Sequence, residues 1–139
     1  MSTPPVAVDP VETPDQQAVE NRIEEYWDWI AVALFLLVTL DLLTSLYAAQ
    51  VVGLQYESNP LMAWLLGQSL FVIVTVHVAA VVLATLFFYG IVELIRRTTP
   101  TLQWMMMRSL EVYLGLLIAA GLFVVANNLS VIVLRRSLL

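Results

Sequence analysis

Cysteine and lysine are absent from the chain, and histidine occurs once in 139 residues. Without thiols there is no disulfide scaffold, no cysteine-bound zinc or iron–sulfur centre and no thiol nucleophile, and the redox compartment stays unread. Without lysine, six arginines face eleven acidic residues. The basic patch that a nucleic-acid binder needs is therefore missing, and no nucleic-acid partner is expected. Charge of both signs is scarce: 12% of residues are charged and 60% are hydrophobic, against roughly 45–50% hydrophobic in soluble domains. A soluble fold of this length has nowhere to put that apolar surface, so the composition points to a small integral-membrane protein. HExxH, GxSxG and a glycine-rich phosphate loop are also missing, and no cofactor is expected.

The charge that is present is unevenly placed. Residues 1–28 hold seven acids (Asp9, Glu12, Asp15, Glu20, Glu24, Glu25 and Asp28) against Arg22, a net of −6, and the remainder holds four acids against five arginines, a net of +1. The acidic segment also contains Pro4, Pro5, Pro10 and Pro14, and it has too little apolar surface to offset its chain entropy. Residues 1–18 are expected to be a disordered acidic tail, with helix starting near Gln17, and residues 19–139 to be a helical membrane domain. A signal peptide would need a basic start and an early apolar run. An acidic exposed tail beside a total lack of lysine suggests a high-salt habitat.

Three runs are long enough to cross a hydrocarbon core of about 30 Å, which takes ~20 helical residues. They cover residues 29–49, 70–92 and 112–134. Tyr26, Trp27 and Trp29 mark a membrane interface at the entry of the first run, and Trp104 and Tyr113 do so around the start of the third. Met105, Met106 and Met107 read as interfacial filler. Residues 60–66 are punctuated as a separate helix: Asn59 suits the N-cap, Pro60 the first helical position, Gly67 the end and Ser69 the next N-cap. The expected fold is all-α integral membrane, with three transmembrane helices plus a short interfacial or re-entrant helix after the first loop. Arg22, Arg96, Arg97 and Arg108 lie on the N-terminal side, against Arg135 and Arg136 on the other. That bias favours a cytoplasmic N-terminus in a multi-pass protein of the cell membrane.

Polar residues inside the spans carry the functional signal. At ~1.5 Å per residue, Asp41, His77 and the pair Asn127 and Asn128 all fall about 11–12 Å below the face reached by the first loop. Ionisable groups at that depth turn toward protein or water and find partners. Asp41, Thr44, Ser45 and Ala48 form a small polar stripe on the first span, His77, Ala80, Val81 and Ala84 one on the second, and Gly115, Ala119, Leu122 and Ala126 one on the third, with Asn127 about 100° off its end. The simplest arrangement points these stripes at one another and pairs Asp41 with His77. The plain reading of that pair is a device fixing helix register, and of the two asparagines, helix glue. Glu93 with Arg96 or Arg97 reads as a snorkelling pair at a helix end.

Asp41, two apolar residues and Thr44-Ser45, followed by Gly53 and then Glu57-x-Asn59-Pro60-Leu61-Met62, resemble a family of small archaeal integral-membrane proteins. The family is common in haloarchaea and is catalogued as a domain of unknown function. The resemblance covers roughly residues 30–130. In that family threonine often stands at the position of Ser45, and a lysine often lies in the second span where this chain has His77. The resemblance implies the membrane fold, an archaeal source and a loop motif of Glu57, Asn59 and Pro60, but no activity.

Function is read at three levels. The leading expectation is a non-catalytic small polytopic protein, a structural or accessory component of a membrane assembly, with the lipid bilayer and either a second copy or a larger membrane protein as partners. The alternative is a proton- or cation-coupled transport component using the buried layer of Asp41 and His77. Third comes a membrane-embedded metal-dependent enzyme built on Asp41, His77 and Glu57. No catalytic, cofactor or metal-ligating residue is assigned.

Overall fold

The computed structural model describes residues 14–57, 59–136 and 138, and among them every element is helical. Helix α1 (Pro14–Leu34) runs into a π-helical segment (Phe35–Leu40) and then into α2 (Asp41–Val52), so the three form one rod. A 3-10 turn (Leu54–Tyr56) leads to α3 (Pro60–Leu66), followed by α4 (Leu70–Arg97) and α5 (Pro100–Leu134). The rod, α4 and α5 are each long and apolar enough to cross a membrane. The fold is therefore the expected all-α one, three candidate spans plus a short helix.

Residues 1–13 of the expected tail lie outside the described residues. Helix is already present at Pro14, ahead of the expected Gln17, and residues 14–18 are helical. Proline lacks the N–H that the first helical turn leaves unpaired, and Asp15 in that turn faces the positive end of the helix dipole.

Local chemistry accounts for the short helix. The Asn59 side chain accepts from Leu61 N–H at 3.0 Å and Met62 N–H at 3.4 Å, and Glu57 Oε1 accepts from Asn59 N–H at 2.9 Å. Glu57 thus holds the residue that caps the helix, Pro60 opens it and Gly67 closes it. Ser69 then caps α4 by accepting from Val72 N–H at 3.5 Å. Once formed, α3 places Met62, Leu65 and Leu66 against Leu42, Leu46 and Ile73.

The helices are longer than the hydrocarbon core. The rod has 38 residues from Asp15 to Val52 and α5 has 35, or ~57 and ~52 Å at ~1.5 Å per residue. The excess gathers at the N-terminal side, where the main core lies: Ile23, Tyr26, Ile30 and Ala33 of α1, Phe88, Val92 and Ile95 of α4, and Leu110 and Leu114 of α5. Met106 and Met107 pack against this core while Met105 faces outward. Glu93 does pair with Arg97 at 2.7 Å and Arg96 at 3.7 Å, and Arg96 also reaches Glu20 at 2.9 Å, linking α4 to α1. Leu70, Phe71, Leu83, Leu86 and Leu94 of α4 face outward, as a lipid-facing surface would.

Two of the three stripes turn into the bundle, though not toward one another. Ser45 and Ala48 are buried and Asp41 and Thr44 half-buried, and His77, Ala80, Val81 and Ala84 are all half-buried. The third stripe does not. Gly115, Ala119, Leu122 and Ala126 face outward, and α5 buries Leu110, Leu114, Gly121, Asn127 and Val131 instead. Gly121 is what the close approach requires. A Cβ there would sit 2.8 Å from Leu36 Cβ and 3.3 Å from Leu37 Cγ, whereas one on Gly115 would meet nothing within 4 Å. Leu36 and Leu37 belong to the π-helical segment, whose wider turn presses against α5 at this glycine.

Candidate functional site: an intramembrane polar layer

The layer is built where the rod changes helical type. Asp41 N–H donates to Leu36 O, five residues back, and also to Val38 O, and the regular helix resumes at Asp41. Such a bulge adds a residue to one turn and re-aims every later side chain of the helix; bulges of this kind concentrate at functional sites. Here it directs Asp41, Thr44 and Ser45 at α5.

Asn128 is the centre of what they meet. Its Nδ2 donates toward Asp41 Oδ1 at 3.0 Å, Thr44 Oγ1 at 2.9 Å and Ser45 Oγ at 3.1 Å. An amide has two hydrogens, so the three oxygens share them. The hydroxyls are free to accept because their own hydrogens go elsewhere: Thr44 donates to Leu40 O at 2.8 Å, and Ser45 to Asp41 Oδ1 at 3.4 Å. The small side chains at 44 and 45 let the carboxylate and carboxamide close this network between helices.

The expected pairing of Asp41 with His77 does not form. His77 Nε2 lies 3.4 Å from Thr39 Oγ1, which ties α4 to the π-helical segment. Residues two apart on a helix point about 200° apart. With Thr39 turned to α4, Asp41 faces the opposite neighbour. The layer expected at one depth is therefore two contacts on opposite sides of the rod. Asn127 belongs to neither. It is buried, and its Oδ1 accepts from Leu138 N–H at 2.8 Å while Ser130 Oγ donates to Arg136 O at 3.0 Å. Both bonds hold the chain that turns back after Arg135, a left-handed residue at φ 53°.

The loop motif and the layer meet. Asp41, Glu57, Asn59, Met62, Phe123, Val124, Asn127 and Asn128 line one cavity of about 200 Å³. Asp41 of the first span and Glu57 and Asn59 of the loop thus line a common space. Among the described residues, hydrogen bonds to the Asp41 carboxylate converge on Oδ1. The carboxylates of Asp41 and Glu57 bring oxygen donors, the ligand type of hard cations, to a cavity that Met62, Phe123 and Val124 also line. Among the described residues no three His, Cys, Asp or Glu side chains converge on a common metal position.

A second polar network, at the N-terminal side, was not expected. Buried Tyr26 donates to Glu111 Oε1 at 2.9 Å, and Arg108 donates to Glu111 Oε2 at 2.7 Å. The one available signal was a lone acid near Arg108 at the start of the third span; Tyr26 reads from sequence as an interfacial aromatic. Thr39 and Gly121 gave no signal either, since apolar helices are rich in both residue types. Comparison with protein-family models, curated proteins and solved structures finds no match to this chain.

Proposed function

We propose that the chain is a non-catalytic, multi-pass component of a membrane assembly, resident in the cell membrane with its N-terminus on the cytoplasmic side. It associates with a second copy or with a larger membrane protein. The observation that carries this reading is the use made of the polar groups: the Asn128 carboxamide satisfies Asp41, Thr44 and Ser45 together, and His77 meets Thr39. Groups spent on interhelical bonds hold a fold together, and in lipid such bonds contribute about 0.6–2 kcal/mol each. Three spans enclose no pathway by themselves, which favours assembly. Two differently tagged copies expressed together in native membranes, cross-linked and solubilised, test it. The expected result is co-isolation of both tags or a stoichiometric membrane partner; a chain that stays monomeric and alone under cross-linking sinks it.

A second reading is favoured by one observation, the cavity shared by Asp41 and Glu57. In it the chain contributes a cation- or proton-binding group to a transport assembly. Reconstituted vesicles separate the two. A pH-driven cation or proton flux lost on Asp41→Asn, with unchanged melting, would replace the scaffold by the transport reading.

A further inference from the structure

At the far end of the molecule from the polar layer, α1 and α5 leave a groove of about 380 Å³ between them, within the roughly 300–1,000 Å³ of typical small-molecule sites. Its rim is charged and its floor apolar. Along the helices, Arg22, Glu25, Arg108 and Glu111 line the outer end, the rim, and Trp29, Gly115 and Ile118 the membrane-ward end, the floor. Both helices run into the membrane from the same side, so this order is also an order of depth. The step from Arg22 to Trp29, or from Glu111 to Ile118, is ~10 Å at ~1.5 Å per residue. The groove therefore passes from the headgroup region into the hydrocarbon as a phospholipid does.

The charges narrow the ligand. Arg22 lies 2.9 Å from Glu25 and 3.7 Å from Glu111, and Arg108 lies 2.7 Å from Glu111. Two cations alternate with two anions, so the rim is neutral overall and offers both signs. Each guanidinium has five N–H donors in a fixed fork, and the contacts to carboxylates occupy only part of them, leaving donors for phosphate oxygens. The carboxylates sit beside them to receive an ammonium. A purely anionic headgroup would satisfy the arginines but be repelled by Glu25 and Glu111. The floor is open because position 115 has no side chain: a Cβ there would touch nothing within 4 Å.

We propose that this groove binds one zwitterionic membrane phospholipid, its phosphate between Arg22 and Arg108, its ammonium toward Glu25 and Glu111, and an acyl chain along Trp29, Gly115 and Ile118. The site is remote from Asp41 and holds whichever function the polar layer serves. The experiment is native mass spectrometry with thermal melting of the full-length, delipidated protein in detergent. The probes are dioleoylphosphatidylethanolamine, dioleoylphosphatidylglycerol and water-soluble glycerophosphoethanolamine. The expected result is one phosphatidylethanolamine bound with a rise in melting temperature, weaker binding of phosphatidylglycerol, and none of the soluble headgroup. Gly115→Leu fills the floor without touching a charge and should melt as the lipid-free parent does, yet bind phosphatidylethanolamine about ten-fold more weakly. Arg108→Gln should weaken binding to a similar degree through the rim. Parent-like binding by both variants, equal or tighter binding of phosphatidylglycerol, or retention of the soluble headgroup would each overturn the proposal.

Discussion

Asn128 shows how one side chain decides the meaning of its neighbours. In hydrocarbon an unpartnered carboxylate costs several kcal/mol, so Asp41 is tolerable only where something donates to it. The donor from across the helix interface is Asn128, at 3.0 Å, with Ser45 of the same helix adding a longer bond at 3.4 Å. A double-substitution cycle should show it. Asp41→Ala and Asn128→Ala should each lower stability, and the pair should couple by about 1–2 kcal/mol. Asp41→Ala with His77→Ala should be additive within about 0.5 kcal/mol. Melting in detergent measures both; coupling of Asp41 to His77 but not to Asn128 would contradict the assigned contacts. The same logic explains why Thr44 and Ser45 matter as acceptors: a valine or alanine in their place would leave Asn128 donating to the carboxylate alone.

At the scale of the element, the π-helical segment and Gly121 form a matched pair. The widened turn brings Leu36 to within 2.8 Å of where a Cβ on residue 121 would stand, so α5 can accept it only with glycine there. Gly115 lies on the same helix with open space around it. The same substitution should then have opposite signs. Gly121→Ala should destabilise by about 1–3 kcal/mol through overpacking, and Gly115→Ala should be neutral or stabilise by up to about 1 kcal/mol through helix propensity. Equal effects at the two sites would show that the segment does not press on α5. A destabilised Gly121→Ala protein should also loosen Asp41 from Asn128, because the bulge that aims Asp41 is what the new methyl displaces.

For the whole molecule, the helix count and the arginine bias make one joint statement about topology. Three crossings put the segment between α2 and α3 on the opposite face from the one between α4 and α5. With arginines at 22, 96, 97 and 108 on the N-terminal side, that side is the cytoplasmic one in our proposal. Single cysteines at Gln55 and Thr99, both exposed, test it in a chain that has none of its own. Gln55→Cys should react with an impermeant reagent in intact cells and Thr99→Cys only after permeabilisation. Labelling of both from one face would remove the three-crossing arrangement, and the reverse pattern would invert the orientation while keeping it.

Membrane class, the three spans and the short helix were determined by the sequence alone, because each rests on local or additive quantities. Apolar run length sets a span, and Asn59, Pro60, Gly67 and Ser69 act within a few residues of themselves. Direction around the helix axis is not additive in that way. Each residue turns about 100°, so the one-residue insertion at the π-helical segment re-aims everything after it, and the choice of neighbour depends on packing across the chain. That is why Asn128 rather than His77 meets Asp41, why the third helix packs through Gly121 rather than Gly115, and why Tyr26 finds Glu111 85 residues away. Those partnerships were decided by the tertiary structure, where the close approach of α5 to a widened turn selects one rotation of each helix and rejects the others.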